Sequence, residues 1–172
     1  MRLFCEHRIP TSAPDFWEWI HSPDYEARVA RALGLTEYRE LERREEGGTV
    51  YRRLRVAAPL PSSFAPILSR VARVDEVAYV EEQWRSKDAH LVRWRMTPEI
   101  LAERVRVAGE LRLEPAGSRH CKRILEGEIS ARIFGVGPLL ERVAIREVVG
   151  AYDTAARVAA DLAKERRRSA RA

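Results

Sequence analysis

Two polar side chains, Glu82 and His90, lie among apolar residues in the segments EVAYVEEQWRS (76–86) and AHLVRWRMT (89–97). Both segments alternate as β-strands do, so Glu82 shares a face with Trp84, and His90 shares one with three apolar residues. A carboxylate and an imidazole in an apolar cavity could orient the polar end of a ligand, or act as acid and base. The simpler interpretation, which we favour, places His90 at a hydrated strand end and pairs Glu82 with an arginine.

Five arginines on neighbouring predicted strands could bind an anionic headgroup through paired hydrogen bonds. They are Arg52, Arg53, Arg55, Arg93 and Arg95. Successive residues of a strand point to opposite faces, so only some of the five can point inward. We take Arg53 as a third candidate polar contact. Ion pairs across exposed strands explain most of these arginines without any ligand.

Cysteine and histidine residues could hold a metal ion if the strands that carry them are paired. Cys5 and His7 share a strand face, but His120 and Cys121 are adjacent, so at most three side chains converge. No G-x-S-x-G motif and no spacing of serine, histidine and aspartate indicates a nucleophile. We therefore expect no metal, no cofactor and no catalytic residue, and we expect both cysteines to remain thiols.

The segment RIFGVGPLLER (132–142) places two glycines and a proline between a strand pattern and a helix pattern. A dinucleotide loop would need a third glycine, and a P-loop would need Gly-Lys-Ser/Thr, so neither phosphate motif is present. We interpret Gly135 and Gly137 as a flexible corner, with Pro138 at the first helical position.

Composition indicates one globular domain: the chain has 172 residues, of which 45% are hydrophobic and 33% are charged. No apolar run approaches the roughly 20 residues that cross a bilayer. The start, MRLFCEHRIP, lacks the apolar region of a secretory signal, so we expect a cytoplasmic protein.

The net charge of +5 comes mostly from the last nine residues, KERRRSARA, which contain five basic residues and one acidic residue. The remaining body is nearly neutral, which argues against a nucleic-acid binder. We predict a domain over 1–165 and a basic, disordered tail over 166–172. The tail could touch an anionic membrane transiently, at about 1 kcal/mol per basic residue, or be a solvated helix end. The oligomeric state is left open.

The order of local patterns predicts a strand over 2–9, two short helices, six strands and a long final helix. Ser12 and Ser22 occupy N-cap positions before the two short helices. The final helix is predicted to begin at Pro138, to end near Lys164 and to carry one apolar stripe.

Such an order buries its apolar faces if a curved sheet wraps around the last helix. We therefore predict an α+β helix-grip fold, with a seven-stranded antiparallel sheet in the element order β-α-α-β6-α. The small residues on the inward faces indicate a cavity between sheet and helix, although they also permit close helix packing. They are Ala144, Ala155, Ala159, Gly109 and Gly127.

The predicted lining of this cavity comes from inward strand faces and from the final helix. Its residues are Trp84, Val92, Trp94, Met96, Val107, Gly109, Leu111, Val148, Tyr152 and Ala155. The segment 58–75 contains prolines and a short amphipathic helix pattern, which predicts a movable cover. Its apolar residues are Phe64, Ile67 and Leu68.

The element order resembles the helix-grip fold of the START and pollen-allergen (SRPBCC) superfamily over essentially the whole chain. Several stretches resemble PRELI-type phospholipid-transfer domains, in which Arg52 and Arg53 match a pair of arginines. These stretches are VYRRL (50–54), YVEEQW (79–84), RWRMT (93–97) and IFGVGPLLERV (133–143). The PDY (23–25) and GSR (117–119) stretches resemble a bacterial family of unknown function in the same superfamily. The resemblance implies a cavity for a lipid or another apolar small molecule.

Three functions remain open at this point. The first is binding or transfer of a hydrophobic small molecule in the cavity. The second is an enzyme of the aromatase/cyclase kind, which would use Glu82, His90 or Tyr79 for proton transfer in the same cavity. The third is a partner-binding module without a ligand.

Overall fold

The structure is a computed structural model that describes residues 1–68, 74–86 and 88–170. Its centre is one antiparallel sheet in the order β1-β7-β6-β5-β4-β3-β2. The strands are β1 (Arg2–Ile9), β2 (Glu37–Glu46), β3 (Thr49–Pro59), β4 (Glu76–Ser86), β5 (Leu91–Pro98), β6 (Val105–Pro115) and β7 (Cys121–Ala131). Strands adjacent in sequence pair with each other, except that β1 pairs with β7.

Four helices accompany the sheet in the described part of the chain: α1 (Ala13–Trp19), α2 (Pro23–Ala32), α3 (Ala65–Leu68) and α4 (Gly137–Ser169). The predicted caps are present, because the Ser12 side chain accepts a hydrogen bond from the Asp15 amide and the Ser22 side chain accepts one from the Tyr25 amide. The predicted α+β helix-grip fold is confirmed.

The long helix α4 lies over one side of the sheet, where it packs against β1, β7 and α2. On this side Phe16, Leu125 and Ala159 are completely or almost completely buried in a dry core. The hydroxyl of Tyr25 ties α2 to the middle of α4 by donating to the Ala155 carbonyl over 3.0 Å. The C-terminal part of α4 is therefore held in the packed core by Ala159, Leu162 and Ala163.

The glycine-rich segment before α4 forms the predicted corner. Gly135 has φ +77°, which favours glycine, and a Cβ on Gly137 would lie 2.4 Å from the Ala131 carbonyl oxygen. The Glu141 carboxylate closes the corner by accepting a hydrogen bond from the Ala131 amide at 2.9 Å. The chain thus turns from β7 directly into α4, with Pro138 in the first turn.

The helix continues past the boundary predicted at residue 165. Residues 166–169 are helical, and the Arg166 guanidinium stacks over the Trp19 ring at 5.4 Å. Residues 171 and 172 of the predicted tail lie outside the described residues. No helix in the described ranges is long and apolar enough to span a bilayer.

Candidate functional site

A cavity of about 630 Å³ lies between the inner face of the sheet and α4, which lines it with residues between 140 and 155. Apolar side chains form most of its wall. Among them are Val56, Val77, Val92, Leu111, Ile129, Leu140 and Val148. Sites for small molecules usually have volumes of about 300–1,000 Å³ and walls of this composition. The cavity therefore has the size and the surface of a small-molecule site.

Eight of the ten side chains predicted to line a cavity lie against this one. They are Val92, Trp94, Met96, Val107, Leu111, Val148, Tyr152 and Ala155. From the predicted cover, Phe64 and Leu68 also line it, whereas Ile67 is buried in the core. The predicted cover includes residues 69–73, which lie outside the described residues.

Gly109 does not contribute open space, which corrects its predicted place in the lining. A Cβ on Gly109 would lie 2.6 Å from the Trp94 ring and 2.1 Å from the Glu126 carbonyl oxygen. Gly127 likewise faces the Trp94 ring, which a Cβ would approach to 3.2 Å. The two glycines therefore make room for an indole, so the volume that they leave is filled by Trp94.

Trp84 and Glu82 lie on the outer face of the sheet, opposite to the face predicted for them. Trp84 packs against the Tyr51 ring with the ring centroids 5.5 Å apart, and Glu82 accepts hydrogen bonds from Tyr51 and Arg95. The outer face of β4 buries apolar carbon because long polar side chains of β3 and β5 cover it. Hydrophobicity alone therefore assigned the wrong face, while the expected pairing of Glu82 with an arginine is confirmed.

The other two predicted polar contacts also lie away from the cavity lining. Arg53 is exposed on the outer face, where it is opposite Glu82 in the strand register. His90 immediately precedes β5 with φ +46°, and its ring packs against Trp17 at 5.4 Å. Neither residue is part of the cavity lining.

On β4, Glu81 rather than its neighbour Glu82 faces the cavity. Its side chain is 9% exposed and accepts a hydrogen bond from the Gln83 amide at 2.7 Å. Burial raises the pKa of Glu81 above its ordinary value, and burial also raises the pKa of the nearby Tyr79 and Tyr152 hydroxyls. Perturbed pKa values of this kind are typical of groups that transfer protons in active sites.

Arg52 forms a buried ion-pair cluster beside the cavity. Its guanidinium nitrogens lie 2.6 Å from a Glu26 carboxylate oxygen and 3.0 Å from a Glu40 carboxylate oxygen. Burial acts to raise the pKa of Glu26, but hydrogen bonds from His21 and Arg52 outweigh it and lower the pKa overall. The positive charge of Arg52 is therefore compensated within the protein.

Arg123 is a second buried arginine, and it does line the cavity. Its side chain points inward from β7, donates to the Tyr152 carbonyl at 3.2 Å and lies over the Tyr152 ring at 4.5 Å. Its Nε, like the indole nitrogen of Trp94, is buried without a hydrogen-bond partner among the described residues. Both N–H groups are therefore buried donors without an acceptor in the described part of the chain.

Sequence reasoning missed Glu81 and Arg123, although strand alternation contained a signal for each. Arg123 alternates in phase with Cys121 and Leu125, so it shares their face of β7, and Glu81 likewise shares the face of Tyr79 on β4. A charged residue in phase with an apolar face is the pattern that identifies such a site.

The cysteines and histidines do not assemble into a metal site. Cys5 and Cys121 are buried free thiols, and His7 binds the Asp153 carboxylate through Nε2 at 2.7 Å. Within residues 1–68, 74–86 and 88–170, no group of three or more histidine, cysteine or acidic side chains could hold a metal ion.

Solved structures of other proteins share this architecture at low sequence identity. The Zhui aromatase/cyclase from Streptomyces sp. R1128 matches with a TM-score of 0.69 and 15% identity, covering 99% of this chain and 97% of that protein. Norcoclaurine synthase from Thalictrum flavum, in complex with dopamine and hydroxybenzaldehyde, matches with a TM-score of 0.65 and 15% identity. The match covers 96% of this chain and 87% of the synthase. A START superfamily protein from Mycobacterium smegmatis matches with a TM-score of 0.62 and 8% identity, covering 95% and 97%.

These similarities extend over nearly the whole chain and confirm the predicted helix-grip fold. The resemblance to PRELI-type domains stays a prediction. No curated protein matches the sequence. One family model matches residues 5–162, and the chain therefore belongs to that family, which is described as "Protein of unknown function (DUF2505)".

Proposed function

We propose that this protein binds a hydrophobic small molecule in the cavity between the curved sheet and α4. The observation that carries the proposal is the volume of about 630 Å³ behind a mostly apolar wall. Removing apolar ligand surface from water would drive binding at about 25 cal/mol per Å². Lipids fall within this ligand class, and transfer of such a ligand is a further part of the proposal.

Proteins of the same fold support a small-molecule ligand. The norcoclaurine synthase structure holds two small aromatic molecules, dopamine and hydroxybenzaldehyde. At 15% identity the likeness extends to the fold alone. The ligand class of this protein therefore has to be inferred from the residues that line its own cavity.

A large side chain placed in the cavity tests the proposal. Ala155 is buried, lines the cavity and lies outside the packed core cluster, whereas Ala159 belongs to that cluster. Tryptophan at position 155 should fill ligand space, while tryptophan at 159 would disrupt the core. We expect Ala155→Trp to weaken binding of the neutral fluorophore N-phenyl-1-naphthylamine by about tenfold or more, measured by fluorescence titration.

Ala160→Trp serves as the matched control, because Ala160 lies on the same helix outside the cavity lining. It should bind the fluorophore as the native protein does. Circular dichroism spectra of both variants report whether the fold is retained. Native affinity in a folded Ala155→Trp variant would contradict the proposal, as would absence of binding to the native protein.

Glu81 favours a second candidate function, an acid-base enzyme of the aromatase/cyclase kind. Of the groups predicted to transfer protons, Tyr79 alone lines the cavity, and Glu81 joins it there. This candidate predicts that the native protein forms an aromatic product from a linear polyketone, and that Glu81→Gln abolishes turnover while fluorophore affinity is retained. Chromatographic product analysis decides: no product from the native protein, or native turnover in Glu81→Gln, argues against it.

A further inference from the structure

Arg123 places a buried positive charge in the wall of an otherwise mostly apolar cavity. Its side chain is 5% exposed, and its strand register sets it between His7 on β1 and Leu113 on β6, on the inner face of the sheet. Its contacts with α4 are to the carbonyl and the ring of Tyr152, and neither of these groups carries a charge.

In the part of the chain that the structure describes, no ion pair includes Arg123. No carboxylate there compensates this charge. None of the four acidic residues in the cavity wall is paired with Arg123, and among the described residues only Glu26 of these four is paired with a cation. Glu26 binds Arg52, Glu76 accepts from Thr36, Glu81 accepts from Gln83, and Glu147 accepts from Ser63. Asp153, next to Tyr152, is half exposed and binds His7.

Two thiols and two tyrosine hydroxyls around Arg123 are also neutral near pH 7. Burial raises the pKa of the Cys5 thiol, and it raises the pKa of the Cys121 thiol to about 11. Burial likewise raises the pKa of the Tyr25 and Tyr152 hydroxyls. None of the four groups therefore supplies a negative charge.

A buried charge without a counter-ion is strongly unfavourable, and proteins avoid it unless another group compensates. Because Arg123 faces the cavity, a ligand in the cavity can be that group. We propose that Arg123 binds a carboxylate of the ligand, so that the protein takes hydrophobic acids in preference to neutral molecules of the same shape. This inference rests on the proposed function.

The arrangement favours a carboxylate over a phosphate monoester. A guanidinium presents two parallel N–H groups, which match the two oxygens of a carboxylate, and one positive charge balances one negative charge. The second negative charge of a phosphate monoester would be left buried without a partner. The apolar remainder of the wall accommodates the hydrophobic body of the acid.

Two probes with the same apolar body but different charge test the inference. They are a dansyl-labelled undecanoic acid, which is an anion at neutral pH, and its neutral methyl ester. We expect the native protein to bind the acid about tenfold or more tightly than the ester, measured by dansyl fluorescence. Arg123→Met, which keeps the length of the side chain without its charge, should remove this preference by lowering the affinity for the acid.

Two further variants distinguish a specific contact between Arg123 and the carboxylate from a general effect of positive charge. Lys122→Met removes an exposed cation from the opposite face of the same strand, so it should keep the native preference for the acid. Arg123→Lys keeps the charge without the paired N–H groups and should give an intermediate preference. Circular dichroism and thermal unfolding establish that each variant is folded.

Each outcome has one meaning. If the native protein binds both probes equally, or if folded Arg123→Met retains the preference, Arg123 does not bind the ligand carboxylate, while the proposed function stands. If neither probe binds the native protein, the proposed function fails and the inference fails with it.

Discussion

Two buried arginines of this protein, Arg52 and Arg123, differ in how their charge is compensated. Arg52 is 3% exposed and binds the carboxylates of Glu26 and Glu40 beside the cavity. Arg123 is 5% exposed, lies in the cavity wall and makes its contacts with an uncharged carbonyl and an aromatic ring. Burial is thus nearly equal, and the difference lies in the partners.

The difference distinguishes a residue that joins elements from a residue that is available to a ligand. The ion pairs of Arg52 connect β3 to α2 and to β2, so this charge contributes to the fold. The Arg123 charge has no such compensation in the described part of the chain, and retaining it is unfavourable for stability. A buried charge that weakens the fold is best explained by function.

Removal of the Arg52 charge should have the largest effect on stability. Arg52→Met removes the buried cation that Glu26 and Glu40 share. Among the described residues, Glu40 then keeps only the more exposed Arg43, at 3.5 Å. Breaking a buried ion pair in this way costs about 3 kcal/mol. We expect the free energy of unfolding at pH 7 to fall by about this amount, measured by urea denaturation. A variant as stable as the native protein would contradict the assigned role of Arg52.

The pH dependence of the same variant sharpens this prediction. The pKa of Glu26 is lowered in the folded protein, so its pairing stabilises the fold above the ordinary pKa of 4.5. That contribution is lost as the pH falls through the lowered value. The stability difference between native protein and Arg52→Met should therefore shrink in this acidic range.

Removal of the Arg123 charge should have a smaller effect of opposite sign. Methionine keeps most of the side-chain volume and eliminates a buried charge that lacks a counter-ion. We expect Arg123→Met to leave the free energy of unfolding unchanged or to raise it by about 1 kcal/mol, under the same denaturation conditions. A loss comparable to that of Arg52→Met would show that the two arginines have the same role and would remove the basis of the comparison.

The fold was predictable from local patterns because each element carries its own signal. Serine caps begin α1 and α2, and apolar and charged residues alternate along β6. Seven strands and a long terminal helix have few ways to bury their apolar faces, so the element order led to the architecture.

The polar part of the site was not predictable in the same way. On β4 both faces carry apolar residues, and the prediction turned the face with Trp84 and Glu82 toward the cavity. In the structure Tyr79 and Glu81 face the cavity instead. The register of β3 and β5, which supplies Tyr51 and Arg95 to cover the outer face, decided the orientation. Glycine at 109 indicated a void, but the Trp94 ring fills it.

The sequence by itself determined the order of the elements and their caps, since these depend on residues close together in the chain. Only the tertiary structure decided which arginine has a counter-ion. Arg52 meets Glu26 across 26 positions, and Arg123 reaches α4 across 29 positions, at Tyr152. The balance of charge in a cavity depends on side chains brought together from distant strands and helices, which local periodicity does not encode.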